Sequence, residues 1–529
     1  MSAKKAYLRP NVLVEPLINR WYAWSYLISP AAAAMFIANS HIRIMQSFIT
    51  APQTHINALK NPDMAGGPFI NYGANRISEI KALREKTIKE QSHMLEFAKA
   101  VQAVDEMLSN EATGYSCEPL YAKVPDVLRG YVELVYDLNN HPSLRFIEGL
   151  LYKSPYNNSS SQSIGLSLID GDNRHFVFST PRLDDAGRVI LNTPFNNEGL
   201  DLLFDAKLTP QPIEYLKEAL GVQPQDAEQF STFFTDEEPA PPANYNGDAV
   251  RVRYFGHACI LIELKNFSIL CDPLISYKYD SKNERYTYAD LPESIDYVLI
   301  THNHQDHCIL ETLIQLRHRI KNVIVPKNGG GTLADPSLRL VLKSLGFRNV
   351  SEIDEMESVE VTGGSITSLP FFGEHADLNI RTKTAYLVNL NGRSILCAAD
   401  SNNIEPQLYE KISALIGEID VIFLGMECVG GPLTWLYGPL LTKPIARKMD
   451  QSRRFDGSNS GKAIKIVSQL KPKQVYVYAM GQEPWLTFLT SLHYTQESPQ
   501  IIESNKLIEE CLSRDIMSER LFCRKELFL

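Results

Sequence analysis

The chain lacks most of the features that would place it outside the ordinary globular class. None of the eight cysteines forms a CxxC pair, and they are spread over 529 residues, so they read as free thiols of a cytoplasmic protein rather than a disulfide framework. There is no positive excess: a net charge of −10 gives no global field for nucleic acid or an anionic membrane. A secretory leader is not expected, because Arg9 and prolines stand where an apolar core should follow the first lysines. The longest apolar stretch, Trp21 to Ala38, contains Pro30 and serines and stops at Asn39-Ser40-His41. It predicts a buried alanine-rich helix, not a membrane span. No fixed-period repeat or low-complexity tract is present. What remains is 44% hydrophobic and 22% charged, enough for two or three domains with real cores.

The texture changes near residue 240, through Asp236-Glu-Glu-Pro-Ala-Pro-Pro-Ala-Asn244, which supports neither a helix nor an interior strand. This predicts an N-terminal α+β domain over 1–240 and a second domain over 241–529. In the first, Asn75 to Leu108 carries apolar residues near helical period with a polar interruption at 84–93, so one long amphipathic helix or two is expected. His175 to Ser179 and Val189 to Leu191 read as short strands. Beyond the linker, β-branched runs recur at Val250–Phe255, Cys259–Leu264, Tyr297–Thr301, Val323–Val325, Thr384–Leu390, Ile395–Ala398, Val421–Leu424 and Val475–Tyr478, with helical segments at Ile309–Ile320 and Leu338–Leu345. That alternation predicts sheets covered by helices.

The informative motif is Thr301-His302-Asn-His304-Gln-Asp306-His307, which follows an apolar strand and holds three of the twelve histidines within six residues. Alternate residues of an extended chain point the same way, so His302 and His304 suit one metal while the following turn carries Asp306 and His307 to a second. Such ligands fit zinc, iron or manganese. The competing reading is a polar loop with solvated histidines.

With Tyr254-Phe-Gly-His257-Ala and Leu270-Cys-Asp272-Pro273 ahead of it, this motif resembles the metallo-β-lactamase fold, an αββα sandwich with a dinuclear site at one edge, over about Val250 to Trp485. The resemblance makes Asp272 an outer residue that orients the metal loop and His257 a packing or outer-shell residue. It makes Asp400, at the end of Ser394-Ile-Leu-Cys-Ala-Ala-Asp400, the carboxylate that bridges two metals rather than a helix cap.

Two departures from the zinc hydrolases follow. Where they supply a third histidine the chain reads Phe372-Gly-Glu374-His375, and where they supply the last one, Ala479-Met480-Gly481-Gln482 has none. Exchanging imidazole for carboxylate shifts a site from zinc toward iron. With its large N-terminal domain, the chain is similar to the CmlA-type di-iron β-hydroxylases of chloramphenicol biosynthesis. The resemblance implies two oxygen-bridged iron ions, O2 and an external electron donor, acting on the β-carbon of an amino acid tethered to a nonribosomal peptide synthetase carrier domain. It also implies that His302, His304 and Glu374 hold one iron, that Asp306 and His307 hold the other, and that Asp400 bridges them, with His375 as the alternate to Glu374. Glu427 would face the irons or the substrate amine, or else a buried ion partner. The alternative function is a dinuclear zinc hydrolase of a lactone, ester or phosphodiester. Trp435, Tyr437, Met480 and Trp485 are candidate pocket walls. Arg453, Arg454, Lys462, Lys465, Lys471 and Lys473 form a basic stretch, read as a solvated face in preference to a carrier-docking one. Gly457 to Ala463 falls one residue short of a phosphate-binding loop. The N-terminal domain, which offers no ligand cluster, is expected to shape the entrance, dock the carrier or form a homodimer surface.

Overall fold

The computed structural model describes residues 5–529. Met1 to Lys4, the start of the stretch read against a leader, lie outside the described residues.

Side-chain alternation builds the C-terminal domain. Two seven-stranded sheets lie face to face. The first runs, in spatial order, Val350–Ile353, Ile320–Pro326, Ile295–Leu299, Phe267–Cys271, Cys259–Leu264, Arg251–Gly256 and Lys525–Phe528. The second runs Ser358–Val361, Gly364–Leu369, Ala385–Leu390, Arg393–Cys397, Val421–Gly425, Gln474–Tyr478 and Met517–Arg520. Along Gln474–Tyr478, Tyr476 and Tyr478 point between the sheets onto Val252, Ile260 and Ile262, while Val475 and Val477 point outward onto the helices Gln407–Ile416, Ser460–Leu470 and Pro499–Ser513. Both faces are therefore apolar, which is why these strands read as continuous hydrophobic runs. The layers are those of the metallo-β-lactamase sandwich.

The middle strands of each sheet are parallel, so their carboxyl ends meet at one edge. Asp272, the His302 loop, Asp400 and Glu427 each follow such an end. Loops at that edge, set by rigid strands, are where an open α/β sheet presents its ligands.

The N-terminal domain is built on a sheet of Trp21–Tyr22, Val12–Ile18, Gln162–Leu168 and Val189–Leu191. The amphipathic region is two helices, Ile77–Glu90 and Ser92–Glu111, separated at Gln91 inside the polar interruption. Trp21 to Ala38 is a strand followed by helices at Ser25–Ile28 and Pro30–Phe36. Pro30 starts the second of these, where its missing N–H costs nothing. That helix continues through a π-helical turn, Ile37–His41, into Ile42–Thr50. His175 to Ser179 is not a strand. Its Val177 N–H instead reaches Phe488 O of the other domain at 2.9 Å, so the period-2 pattern records burial against a neighbour rather than a ladder. Ile309 to Ile320 likewise divides into a helix, Leu310–Leu316, a 3-10 turn and the start of a strand.

One core spans the two domains: Trp21, Trp24, Phe36 and Phe97 belong to the same buried cluster as Phe255, Leu261, Leu270 and Val298 on the outer face of the first sheet. The eight cysteines are free, six of them buried. Among the described residues no helix is long and apolar enough to cross a membrane.

Candidate metal centre

After Leu299 the chain leaves the sheet and is tied by Asp272. The Asp272 Oδ1 accepts the Thr301 N–H at 2.7 Å, and Oδ2 accepts the Thr301 hydroxyl at 2.6 Å and His307 Nδ1–H at 2.8 Å. This fixes the tautomer of His307 and leaves Nε2 free, 3.1 Å from Asp400 Oδ2. His304 is oriented from the other side, with Nε2 3.1 Å from the Tyr437 hydroxyl and Nδ1 3.0 Å from Glu374 Oε2. His302 Nε2 lies between the two carboxylates, 3.6 Å from Glu374 Oε2 and 3.7 Å from Asp400 Oδ2.

Two groups of possible ligand atoms result, His302, His304 and Glu374 in one, His302, His307 and Asp400 in the other. A third group joins Asp306 and His307 with His257. The sequence resemblance predicts His257 as a packing residue or one beside the ligands rather than a ligand. Its Nε2 lies 3.3 Å from Asp306, and its Nδ1 accepts the Gly481 N–H at 3.2 Å. The backbone of the last loop is thus pinned by His257, at the place where the hydrolases carry a further histidine. The signal for it was the Gly256-His257 turn, whose His257 takes a left-handed φ of 50°.

Glu374 also takes a left-handed backbone, φ 59°, a strained state that surrounding contacts must hold. The turn sends its carboxylate to His304, whereas His375 stacks its ring on His304 at 4.5 Å and stays outside the three ligand groups. Glu427 also lies outside them.

The electrostatics are those of a cation site. Burial, then the negative charges of Asp400 and Asp306, push Glu374 well above the usual carboxylate range, and burial with the same neighbours does so for Glu427. Burial drives His302 well below the usual imidazole range and His304 down to about 4. Burial opposes charge on His307 too, but Asp400 and Asp272 outweigh it and hold that ring well above its ordinary value. His302 Nε2, His307 Nε2, Glu374 Oε2 and Asp400 Oδ1 are buried without a hydrogen-bond partner. Unpaired buried polar atoms are costly, and cations held among these imidazoles and carboxylates would satisfy them.

Of the candidate walls, Trp435 lines a cavity of about 660 Å³ between the domains and Tyr437 reaches His304. Met480 is core, and Trp485 packs on Gly256 and under Arg285, away from that cavity. Within the basic stretch, Arg453 and Arg454 bond backbone carbonyls, Lys462 bonds Asn402, and Lys471 and Lys473 pair with Glu418 and Asp420.

Fold and site together define a dinuclear metalloprotein on the metallo-β-lactamase sandwich. The comparisons place it further. Residues 7–239 match the diiron non-heme beta-hydroxylase N-terminal domain and residues 251–448 the beta-lactamase superfamily domain. The chain is 38% identical over 99% of its length, and 99% of the relative's, to a 4-amino-L-phenylalanyl-[CmlP-peptidyl-carrier-protein] 3-hydroxylase of Streptomyces venezuelae. The crystal structure of CmlA, a diiron beta-hydroxylase from that organism, superposes with a TM-score of 0.94 at 38% identity, covering 100% of both chains. A mutant of that enzyme gives 0.92, covering 99% of this chain. The chain belongs to the di-iron non-haem β-hydroxylase family, and it is a di-iron hydroxylase, not the zinc hydrolase held as the alternative.

Proposed function

We propose that this enzyme hydroxylates the β-carbon of an aminoacyl group held as a thioester on the carrier domain of a nonribosomal peptide synthetase, in the assembly of a natural product. The observation that carries the reading is the mixed set of possible ligands, four imidazoles with three carboxylates, in a chain of this family. His302, His304 and Glu374 would hold one iron and Asp306 and His307 the other, with Asp400 shared between them. Bound there, the pair supplies the redox chemistry by which O2, with two electrons from an external donor, gives one oxygen to the C–H bond and one to water.

The chain's own part is positional. Asp272 keeps the proton of His307 on Nδ1, and Tyr437 sets the ring of His304. Glu427 stands in the outer shell of the carboxylates. Residues 1–240 cover the site, dock the carrier and offer a surface for pairing subunits. Tethering raises the effective concentration of the substrate and fixes its approach.

The test compares product from one amino acid, free and loaded on a carrier domain, under the same O2 and reductant, with iron counted in the purified protein. About two irons per chain and turnover of the loaded form are expected. Equal rates for the two forms would refute the tethered substrate, and activity restored by zinc alone would refute the oxygenase.

A further inference from the structure

His257, Asp306 and His307 bring one possible ligand atom each to within 4.8 Å of one another, so by distance alone His257 could bind the second iron. Its hydrogen bonds decide otherwise. The Gly481 N–H donates to His257 Nδ1 at 3.2 Å, which places a lone pair on that nitrogen. A neutral imidazole has one donor and one acceptor nitrogen, so the proton sits on Nε2, the atom 3.3 Å from Asp306 Oδ2. A metal ligand would need its lone pair there instead. His307 has the opposite arrangement: Nδ1–H is given to Asp272, and Nε2 is left bare, 3.1 Å from Asp400 Oδ2. The two rings, centroids 5.0 Å apart, are therefore in opposite tautomers, one a ligand and the other a donor.

Asp306 is the carboxylate of the site with most need of such a donor. Its side chain is 20% exposed, against 9% for Glu374 and 12% for Asp400. Among the described residues its one ion-pair contact is with His257. A partly solvated carboxylate is free to rotate, and outer hydrogen bonds of this kind are what orient metal ligands. The other side of the ring is anchored. His257 O accepts the Ala479 N–H at 2.9 Å, and both residues take a left-handed φ, 50° and 53°, a state that surrounding contacts must hold. Ahead of them Gly256 has a φ of 111°, and a Cβ there would stand 2.8 Å from the Trp485 ring, so the turn cannot shift without moving the loop that follows Tyr478.

We propose that His257 is a positioning residue for the second iron: its Nε2–H holds Asp306 and its Nδ1 holds loop 479–482, so that a loop with no ligand of its own still sets the geometry of that iron. The inference rests on the assignment of Asp306 to the second iron and not on the identity of the substrate. It separates two rings that distance alone would count together, and it gives the Gly256-His257 turn a task at the metals rather than in packing.

The test uses the metal-free full-length chain, isotope-labelled at the histidine nitrogens, titrated with zinc alone as a diamagnetic probe and read by NMR and by chelator competition. The Nε2–H resonance of His257, identified by its absence from His257→Gln, should persist at zinc saturation. In His257→Ala the affinity for one of the two zinc ions should fall by about 10–100-fold, while His257→Gln, whose amide N–H₂ reaches the place of Nε2, should stay within about threefold of the wild type. Loss of the Nε2 proton on zinc binding would overturn the inference and make His257 a ligand. Equal loss of affinity in the Ala and Gln variants would overturn it as well, and wild-type affinity in His257→Ala would reduce the ring to a packing residue. The wild-type resonance decides between donor and ligand whether or not His257→Ala folds. Undiminished affinity for both ions in Asp306→Ala would overturn the ligand assignment and this inference with it, whereas the other outcomes leave that assignment standing.

Discussion

Arg174, from the N-terminal domain, places its guanidinium flat against both oxygens of Glu311, at 3.0 and 2.9 Å, four residues beyond His307. The same guanidinium reaches Glu15 at 3.3 Å and covers the Phe488 ring at 3.5 Å, so one buried cation ties the N-terminal sheet to the helix that starts behind the metal loop. Arg174→Ala leaves Glu311 buried without its cation. A loss of about 3–5 kcal/mol is expected, the usual cost of breaking a buried pair from one side, read from denaturant unfolding of the full chain.

Glu15 makes the same junction sensitive to acid. Burial opposes its charge, but Arg182, Arg174 and Arg188 outweigh that and bring its carboxyl down to about 2 from 4.5. The folded state therefore binds fewer protons than the unfolded state between those values. Its contribution to stability is complete above about 4.5 and is lost as the pH falls toward about 2. Urea midpoints of the wild type should fall from pH 5 to pH 3 more steeply than those of Glu15→Gln, which has no proton to gain there.

At the metal centre, Glu374→Ala should lose or weaken one iron and His375→Ala should keep near-normal iron, measured as metal per chain after desalting. Loss of iron from the His375 variant instead would reassign the ligand.

Asp272 acts through its hydrogen bonds. In Asp272→Asn one oxygen still serves the Thr301 N–H, but an amide N–H₂ replaces the acceptor facing His307 Nδ1–H. The ring then keeps only the longer contact to the Thr301 hydroxyl, 3.3 Å from Nδ1, in place of the carboxylate, and an iron affinity lower by about 10–100-fold is expected, measured by competition with a chelator.

The adjacent part of this site was readable in the chain because its residues are neighbours: HxHxDH at a strand end needs only a period of two and a turn. Asp400 was readable by its place after an apolar strand. Glu374 against His375 was not decidable from side-chain chemistry alone, because where each side chain points depends on a left-handed φ at Glu374 that no residue type announces. The His257 contact with the last loop, the Arg174–Glu311 pair and the Trp21–His41 stack join positions 20 to 224 residues apart, and no local pattern encodes such pairings. His175 to Ser179 misled for the same reason: its alternation answers to the other domain, not to a neighbouring strand.

The single core shared by Trp21, Phe97, Leu261 and Val298 also fixes how the molecule comes apart. The outer face of the first sheet is coated partly by the helices Leu310–Leu316 and Leu338–Ser344 of its own domain and partly by N-terminal residues. Cutting the chain near residue 240 would bare the part of that apolar face the N-terminal residues cover, a surface that seeks other copies of itself. In thermodynamic terms the two domains are one melting unit, expected to show a single calorimetric transition, and a lineage cannot shed the first domain without repainting the sheet beneath it.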